Sequence, residues 1–122
     1  MPRPTLLIAE PEPQEALSVR KLVMETAKFN VLTAQSTREA IDLFQRFPNI
    51  SAAVLVQSGE IDCEAVAKVI KRATDKVAVI MLSPRIGAMC SDADHHLSSH
   101  EPEELLELTR ELLGDPRQIE AA

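Results

Sequence analysis

Several short apolar runs of this chain end at acids, an amide or hydroxyls, and these polar residues are its first candidates for chemistry. In chain order they are Glu10, Glu12, Gln57, Ser83, Ser98 and Ser99. Carboxylates can hold a divalent cation or act as nucleophiles, and hydroxyls can donate hydrogen bonds to oxyanions. Whether these residues act together depends on the elements that carry them.

The apolar runs are short and unbroken, a pattern typical of strands buried on both faces of a parallel sheet. Strands are predicted at residues 5–9, 31–34, 52–56, 77–82 and, more weakly, 95–97. Apolar residues at helical spacing predict helices at about 14–28, 36–44, 62–72 and 101–113, and the poorly patterned segment 85–94 is expected to contain one short helix. This alternation predicts an α/β fold in which a doubly wound parallel sheet is covered by helices on both faces.

Capping residues support these helix boundaries. Ser36 with Glu39 forms the pattern of a capping box at the start of the second helix, and Asp62 suits the N-cap of the third. At the carboxyl ends, Asn30 is expected to cap the first helix and Gly114 the last.

Composition indicates one domain over residues 1–122, with its core at about 5–114 and a frayed tail at 115–122. Aliphatic residues must fill that core, because only 2% of the chain is aromatic. The net charge of −6 argues against nucleic acid and anionic membranes, so a protein partner or a second copy of the chain is expected. Two cysteines without a CxxC pair, and no signal-like segment, favour the cytoplasm.

The segment Leu7-Ile8-Ala9-Glu10-Pro11-Glu12-Pro13 resembles the first strand and acidic loop of bacterial response regulator receiver domains, the CheY-like family. The order of the predicted elements and the hydroxyl of Ser83 after the fourth strand agree with this resemblance, which covers residues 5–114. It implies a flavodoxin-like sheet of order 2-1-3-4-5 and a role in two-component, phosphorelay signal transduction. In such sheets the site lies beyond the carboxyl ends of the strands.

The resemblance also implies that the phosphorylation site is degenerate. Glu10 matches the first acid of the family's pair, whereas Pro11 stands at the second, which normally binds the metal directly. Gln57 stands at the phosphoacceptor position, and an amide is a poor nucleophile without charge. Glu10 and Glu12 remain as weak metal candidates, so the only cofactor considered is magnesium, bound weakly at most.

The residues expected to clasp a phosphoryl group are reduced in the same way. Ser83 keeps the family's hydroxyl, but Ser98 or Ser99 stands where a lysine is expected. No catalytic residue is therefore assigned, and the chain is predicted to be a pseudo-receiver. It would be a non-enzymatic interaction module that is independent of phosphorylation.

Two other functions remain open. An unorthodox phosphoacceptor site could use Glu60 or Asp62 together with Glu10 and Glu12. Alternatively, a flavodoxin-like protein could bind a nucleotide or other small ligand at the same strand ends, although glycines and aromatics are nearly absent there. A nucleophilic enzyme is not expected, because neither a GxSxG elbow nor a glycine-rich phosphate loop is found.

A transition-metal site is a further alternative, because Cys90, His95, His96 and His100 lie close in sequence. Their spacing matches no familiar zinc pattern, and adjacent histidines on a strand point to opposite faces. A structural role is favoured, with one of His95 and His96 inward and the other exposed.

A partner surface is predicted near the carboxyl-terminal helix, because the resembled family signals through the face built from helix four, strand five and helix five. The helix at 101–113 has more leucines than one core-facing stripe needs. The interface candidates are Ile86, Met89, Leu97, Leu105, Leu108 and Leu112. A homodimer or a complex with another protein is expected there.

Overall fold

A computed structural model describes residues 4–10, 19–47, 49–57, 61–83, 92–97 and 102–114, and within them the strands form one parallel sheet. The strands are β1 (Thr5–Ala9), β2 (Asn30–Ala34), β3 (Ile50–Val56), β4 (Ala78–Leu82) and β5 (His95–Leu97). Each pairs in parallel with its neighbours in the order β2-β1-β3-β4-β5. The predicted fold class and strand order are confirmed.

Helices follow β1, β2, β3 and β5 along the chain, as the sequence predicts. They are α1 (Val19–Thr26), α2 (Thr37–Arg46), α3 (Cys63–Ala73) and α4 (Pro102–Leu113). The predicted start of the first helix near Gln14 lies outside the described residues, and so does the part of the predicted short helix at 85–91. Residues 92–94 are described and are not helical. None of the helices described is long and apolar enough to cross a membrane.

The predicted caps of α2, α3 and α4 are present. The Ser36 hydroxyl accepts a hydrogen bond from the Glu39 N–H at 3.1 Å, and an Asp62 carboxylate oxygen accepts one from the Ala65 N–H at 3.3 Å. Gly114 follows α4 with a φ of 85°, a left-handed conformation that costs glycine little.

The end of α1 differs from the prediction, because Lys28 rather than Asn30 terminates the helix. Lys28 has a φ of 76°, and its N–H donates to the Glu25 carbonyl at 3.0 Å. The Phe29 N–H donates to the Met24 carbonyl at 3.1 Å, which completes a Schellman motif. Asn30 is already the first residue of β2, where pairing with β1 holds it in extended conformation.

The core consists of two aliphatic layers, one on each face of the sheet. One layer packs strand residues such as Leu7, Leu55 and Val79 against α2 and α3, and the other packs Leu6 and Ile80 against α1 and α4. Successive residues of each strand alternate between the layers, as the pleat requires. Both faces are therefore buried, which explains why the strands read as unbroken apolar runs.

An ionic contact joins α3 to the amino ends of β4 and β5. The Lys71 Nζ lies 2.6 Å from an Asp94 carboxylate oxygen and donates to the Val77 carbonyl at 2.9 Å. The same Asp94 oxygen accepts from the Val79 N–H at 2.8 Å, and the Asp94 N–H donates to the Val79 carbonyl at 2.8 Å.

This contact changes the acidity of Asp94. Partial burial by itself would raise the pKa of this carboxyl group. The hydrogen bonds from Lys71 and Val79 and the positive charges of Lys71 and His95 outweigh that effect and lower the pKa below its ordinary value of 3.8.

Candidate functional site

Three adjacent strands bring Glu10, Gln57 and Ser83 to the carboxyl edge of the sheet, as the sequence predicts. Each of these residues directly follows its strand, and its N–H donates to the last residue of a neighbouring strand. The acceptors are the carbonyl oxygens of Ala34, Leu82 and Leu97, at 2.9, 3.0 and 3.0 Å respectively. The backbone at this edge is therefore held by the continuing sheet ladder.

The side chains of the three residues differ in their exposure. Glu10 and Ser83 are only 6% and 7% exposed, whereas Gln57 is exposed. A carboxyl group as buried as that of Glu10 needs hydrogen-bond partners, because burial without them is costly. Glu10 and Ser83 therefore belong to the packed part of this edge, and Gln57 stands at its surface.

The side chain of Gln57 has a defined structural contact. Its carbonyl oxygen accepts a hydrogen bond from the Cys63 N–H, the first N–H of α3, at 3.0 Å. An amide is uncharged and cannot form the acyl phosphate that a carboxylate forms. Gln57, which the resemblance places at the phosphoacceptor position, thus supports a helix start and offers no nucleophile.

The neighbouring ends of α2 and α3 are also joined. The Thr37 hydroxyl accepts from the Asp62 N–H at 2.8 Å, and Ile61 is fully buried in the layer between the sheet and these helices. Asp62, considered above as a replacement nucleophile, uses a carboxylate oxygen to cap α3. No sequence signal links Gln57 to Cys63 or Thr37 to Asp62, because both contacts depend on how the loops fold.

Several predicted site residues lie outside the described residues. They are Pro11, Glu12, Glu60, Ser98 and Ser99 at the edge, Cys90 and His100 of the metal alternative, and Ile86 and Met89 of the interface. His95 is half-buried and His96 is exposed. Within the ranges that the structure describes, no group of three or more His, Cys, Asp or Glu residues could hold a metal ion.

The interface candidates of α4 and β5 divide by burial. Leu105 is only 1% exposed, so its inclusion in an interface was wrong: it faces the sheet and fills the layer shared with α1. Leu97 and Leu108 are half-buried and pack against the same layer. Leu112 is 37% exposed and remains available to a partner.

The described residues at the carboxyl edge fit a magnesium ion poorly. Mg²⁺ gives up its water reluctantly and is usually bound through one or two carboxylates. Of the three residues that follow the strands, only Glu10 has a carboxylate, and the oxygen of Gln57 accepts from Cys63. No step of the function is therefore assigned to a metal.

Comparison with known proteins finds the same architecture in response regulators. No protein-family model matches the chain, and no curated protein sequence matches it significantly. Among solved structures, a receiver domain from Clostridium thermocellum is 20% identical with a TM-score of 0.76, and the match covers 95% of this chain and 98% of that one. The response regulator TrrA of Thermotoga maritima, solved with Mg²⁺ and BeF, is 23% identical with a TM-score of 0.70, over 90% and 99% of the two chains.

A third similar structure is a complex of CheX and CheY from Borrelia burgdorferi with BeF₃ and Mg²⁺. The matched chain is 20% identical to this one with a TM-score of 0.69, over 89% of this chain and 88% of that one. The chain therefore has the CheY-like receiver fold, which confirms the resemblance at the level of fold.

Proposed function

We propose that this chain, which has the fold of response regulator receiver domains, is a signalling module of the two-component class that works without phosphorylation. It acts by binding a protein partner or a second copy of itself, and it catalyses no reaction. The observation that carries this proposal is the contact of Gln57, whose side chain caps α3 at the position where a receiver needs a free carboxylate.

The chemistry of the edge supports the same view. Accepting a phosphoryl group requires a nucleophilic oxygen and positive charge to neutralise the transferred group. Gln57 lacks a nucleophilic oxygen. Ser83 beside it is mostly buried, and its N–H donates to the Leu97 carbonyl. No lysine follows Lys76 in the sequence, so the lysine that the family carries just after the fifth strand is absent.

Incubation with acetyl phosphate and magnesium tests the proposal. We expect the intact mass of the protein to stay unchanged, because no acyl phosphate can form at Gln57. A receiver domain with an aspartate at this position serves as the positive control under the same conditions. A stoichiometric gain of one phosphoryl group would contradict the proposal, and peptide mapping would show whether Glu60 or Asp62 had accepted it.

The surface proposed for a partner lies on α4, which packs beside α1. Leu112 is one of two large apolar side chains of the described residues that are markedly exposed, and the half-buried Leu108 lies one turn away on the same helix. CheY of Borrelia burgdorferi, a protein of this fold, forms a complex with CheX. By analogy, we assign this chain a protein partner or a second copy of itself.

A further inference from the structure

Gln57 and Cys63 connect the end of β3 to the start of α3 by two contacts. The Gln57 side-chain oxygen accepts from the Cys63 N–H at 3.0 Å, and the Cys63 thiol donates to the Leu55 carbonyl at 3.5 Å. Cys63 has no exposed surface. One buried residue of α3 is thereby attached to β3 through both its backbone and its side chain.

The contact of Gln57 satisfies a group that the helix itself cannot satisfy. The first N–H groups of a helix have no partner within it. In α3 the Asp62 side chain accepts a hydrogen bond from the Ala65 N–H. The Cys63 N–H, which this cap does not reach, donates to the Gln57 side chain instead. Losing a partner for an N–H on so buried a residue is costly, since the desolvation of the group is no longer compensated.

The preceding residue is held from another direction. The Asp62 N–H donates to the Thr37 hydroxyl at the start of α2, and Ile61 is fully buried beneath it. The end of the β3–α3 connection is therefore fixed to β3, to α2 and to the core. Of these three attachments, the one through Gln57 uses the residue at the phosphoacceptor position.

We propose that Gln57 is a conformational clamp that holds the amino end of α3 against the end of β3 in a single arrangement. The purpose of this clamp rests on the proposed function. Receivers change state when the side chain at this position is modified, whereas here the side chain of Gln57 makes a permanent contact. Aspartate is one methylene group shorter than glutamine and would not reach Cys63 without movement of the backbone. Glutamate keeps both the length and the acceptor.

Amide hydrogen exchange of Cys63, followed by NMR, tests the clamp. In Gln57→Met, which keeps the length but removes the acceptor, we expect the Cys63 N–H to exchange about tenfold faster relative to core amides such as that of Val54. In Gln57→Glu the exchange should stay within about twofold of wild type, because the carboxylate still accepts from Cys63. Gln45→Met, at an exposed position of α2, is the matched control and should leave the exchange unchanged.

The outcomes separate this inference from the proposed function. Equal exchange of Cys63 in wild type and Gln57→Met would overturn the clamp, whatever the phosphorylation test shows. A uniform rise at all amides, with no excess at Cys63, would also overturn it, since the contact would then have no local effect. Labelling of the wild type by acetyl phosphate would overturn the proposed function while leaving the exchange result to stand by itself.

Discussion

At the scale of single residues, position 57 decides what the edge of the sheet can do. A carboxylate there would bring a charge and a nucleophile, whereas glutamine brings a neutral oxygen that reaches the start of α3. Gln57 therefore lacks the reactivity of an acid and makes a structural hydrogen bond instead. A shorter aspartate at this position would lose that hydrogen bond.

Gln57→Asp is expected to remain unphosphorylated to any stoichiometric extent in acetyl phosphate and magnesium. On the resemblance to receiver domains, Pro11 still stands at the second acid of the family's pair, and no lysine follows β5 in the sequence. The free energy of unfolding of this variant should also be about 1 kcal/mol lower than that of wild type, because the Cys63 N–H loses its acceptor. Intact mass and urea denaturation measure the two effects, and strong labelling of this variant would mean that the site is assigned wrongly.

At the scale of elements, α3 is attached to the sheet at both of its ends. Its amino end is held by Gln57, and near its carboxyl end Lys71 is bonded to Asp94 and to the Val77 carbonyl. The second attachment also closes the gap between β4 and the very short β5, since Asp94 bonds to Val79 through both its backbone and its side chain.

Asp94→Asn is expected to lower the free energy of unfolding by about 0.5–1 kcal/mol at neutral pH. The value is small because the Asp94 side chain is 39% exposed and its attraction to Lys71 is screened by water. The pKa of Asp94 is lowered by folding, so its contribution is fully present above 3.8 and is lost as the pH falls through the lower value of the folded state.

Urea denaturation of wild type and Asp94→Asn between pH 7 and pH 2.5 measures this effect. The difference between the two proteins should shrink as the pH falls below about 4. Asp42→Asn is the control, because Asp42 pairs with Arg46 at 3.3 Å on an exposed face of α2. Its loss should lower the free energy of unfolding less than the loss of Asp94. A difference in the free energy of unfolding that stays constant down to the lowest pH would show that the charge of Asp94 does not stabilise the fold.

At the scale of the whole molecule, the two faces of the sheet have different surroundings. The helices α2 and α3 cover one face, and α1 and α4 cover the other, where Leu112 remains exposed. An exposed apolar side chain beside half-buried leucines is a candidate contact for another protein.

Leu112→Glu is expected to shift the protein from dimer to monomer in sedimentation experiments if its partner is a second copy, because a charge would be placed in the apolar contact. Phe47→Glu makes the same change at a residue that is 46% exposed beyond the end of α2, and it should leave the association unchanged. Monomeric behaviour of wild type and both variants, with equal binding to a partner identified later, would remove α4 as the interface.

Much of this architecture could be predicted from the sequence, because the elements have strong local signals. Unbroken apolar runs indicated the buried strands, and Ser36 and Asp62 carried capping patterns that hold in the structure. The end of α1 was wrong because pairing with β1 draws Asn30 into β2, an effect of tertiary structure. Leu105 was assigned to an interface because leucine spacing alone does not tell which side of a helix with many leucines faces the core.

The site was predictable in position but not in its contacts. That Glu10, Gln57 and Ser83 would share one edge follows from the parallel sheet alone. The contacts of Gln57 with Cys63 and of Thr37 with Asp62 join residues six and twenty-five positions apart through loops whose conformation has no simple pattern. The sequence alone thus shows that Gln57 is a poor nucleophile, whereas its hydrogen bond with Cys63 is visible only in the structure.

The attachment of α3 at both ends has a mechanical consequence. A rod supported at two points can neither tilt nor slide unless one support breaks, so α3 and the sheet should behave as one rigid plate. Displacement caused by a binding partner would then be confined to parts of the molecule outside this plate. Such a plate suits a protein that presents a surface more than one that changes state.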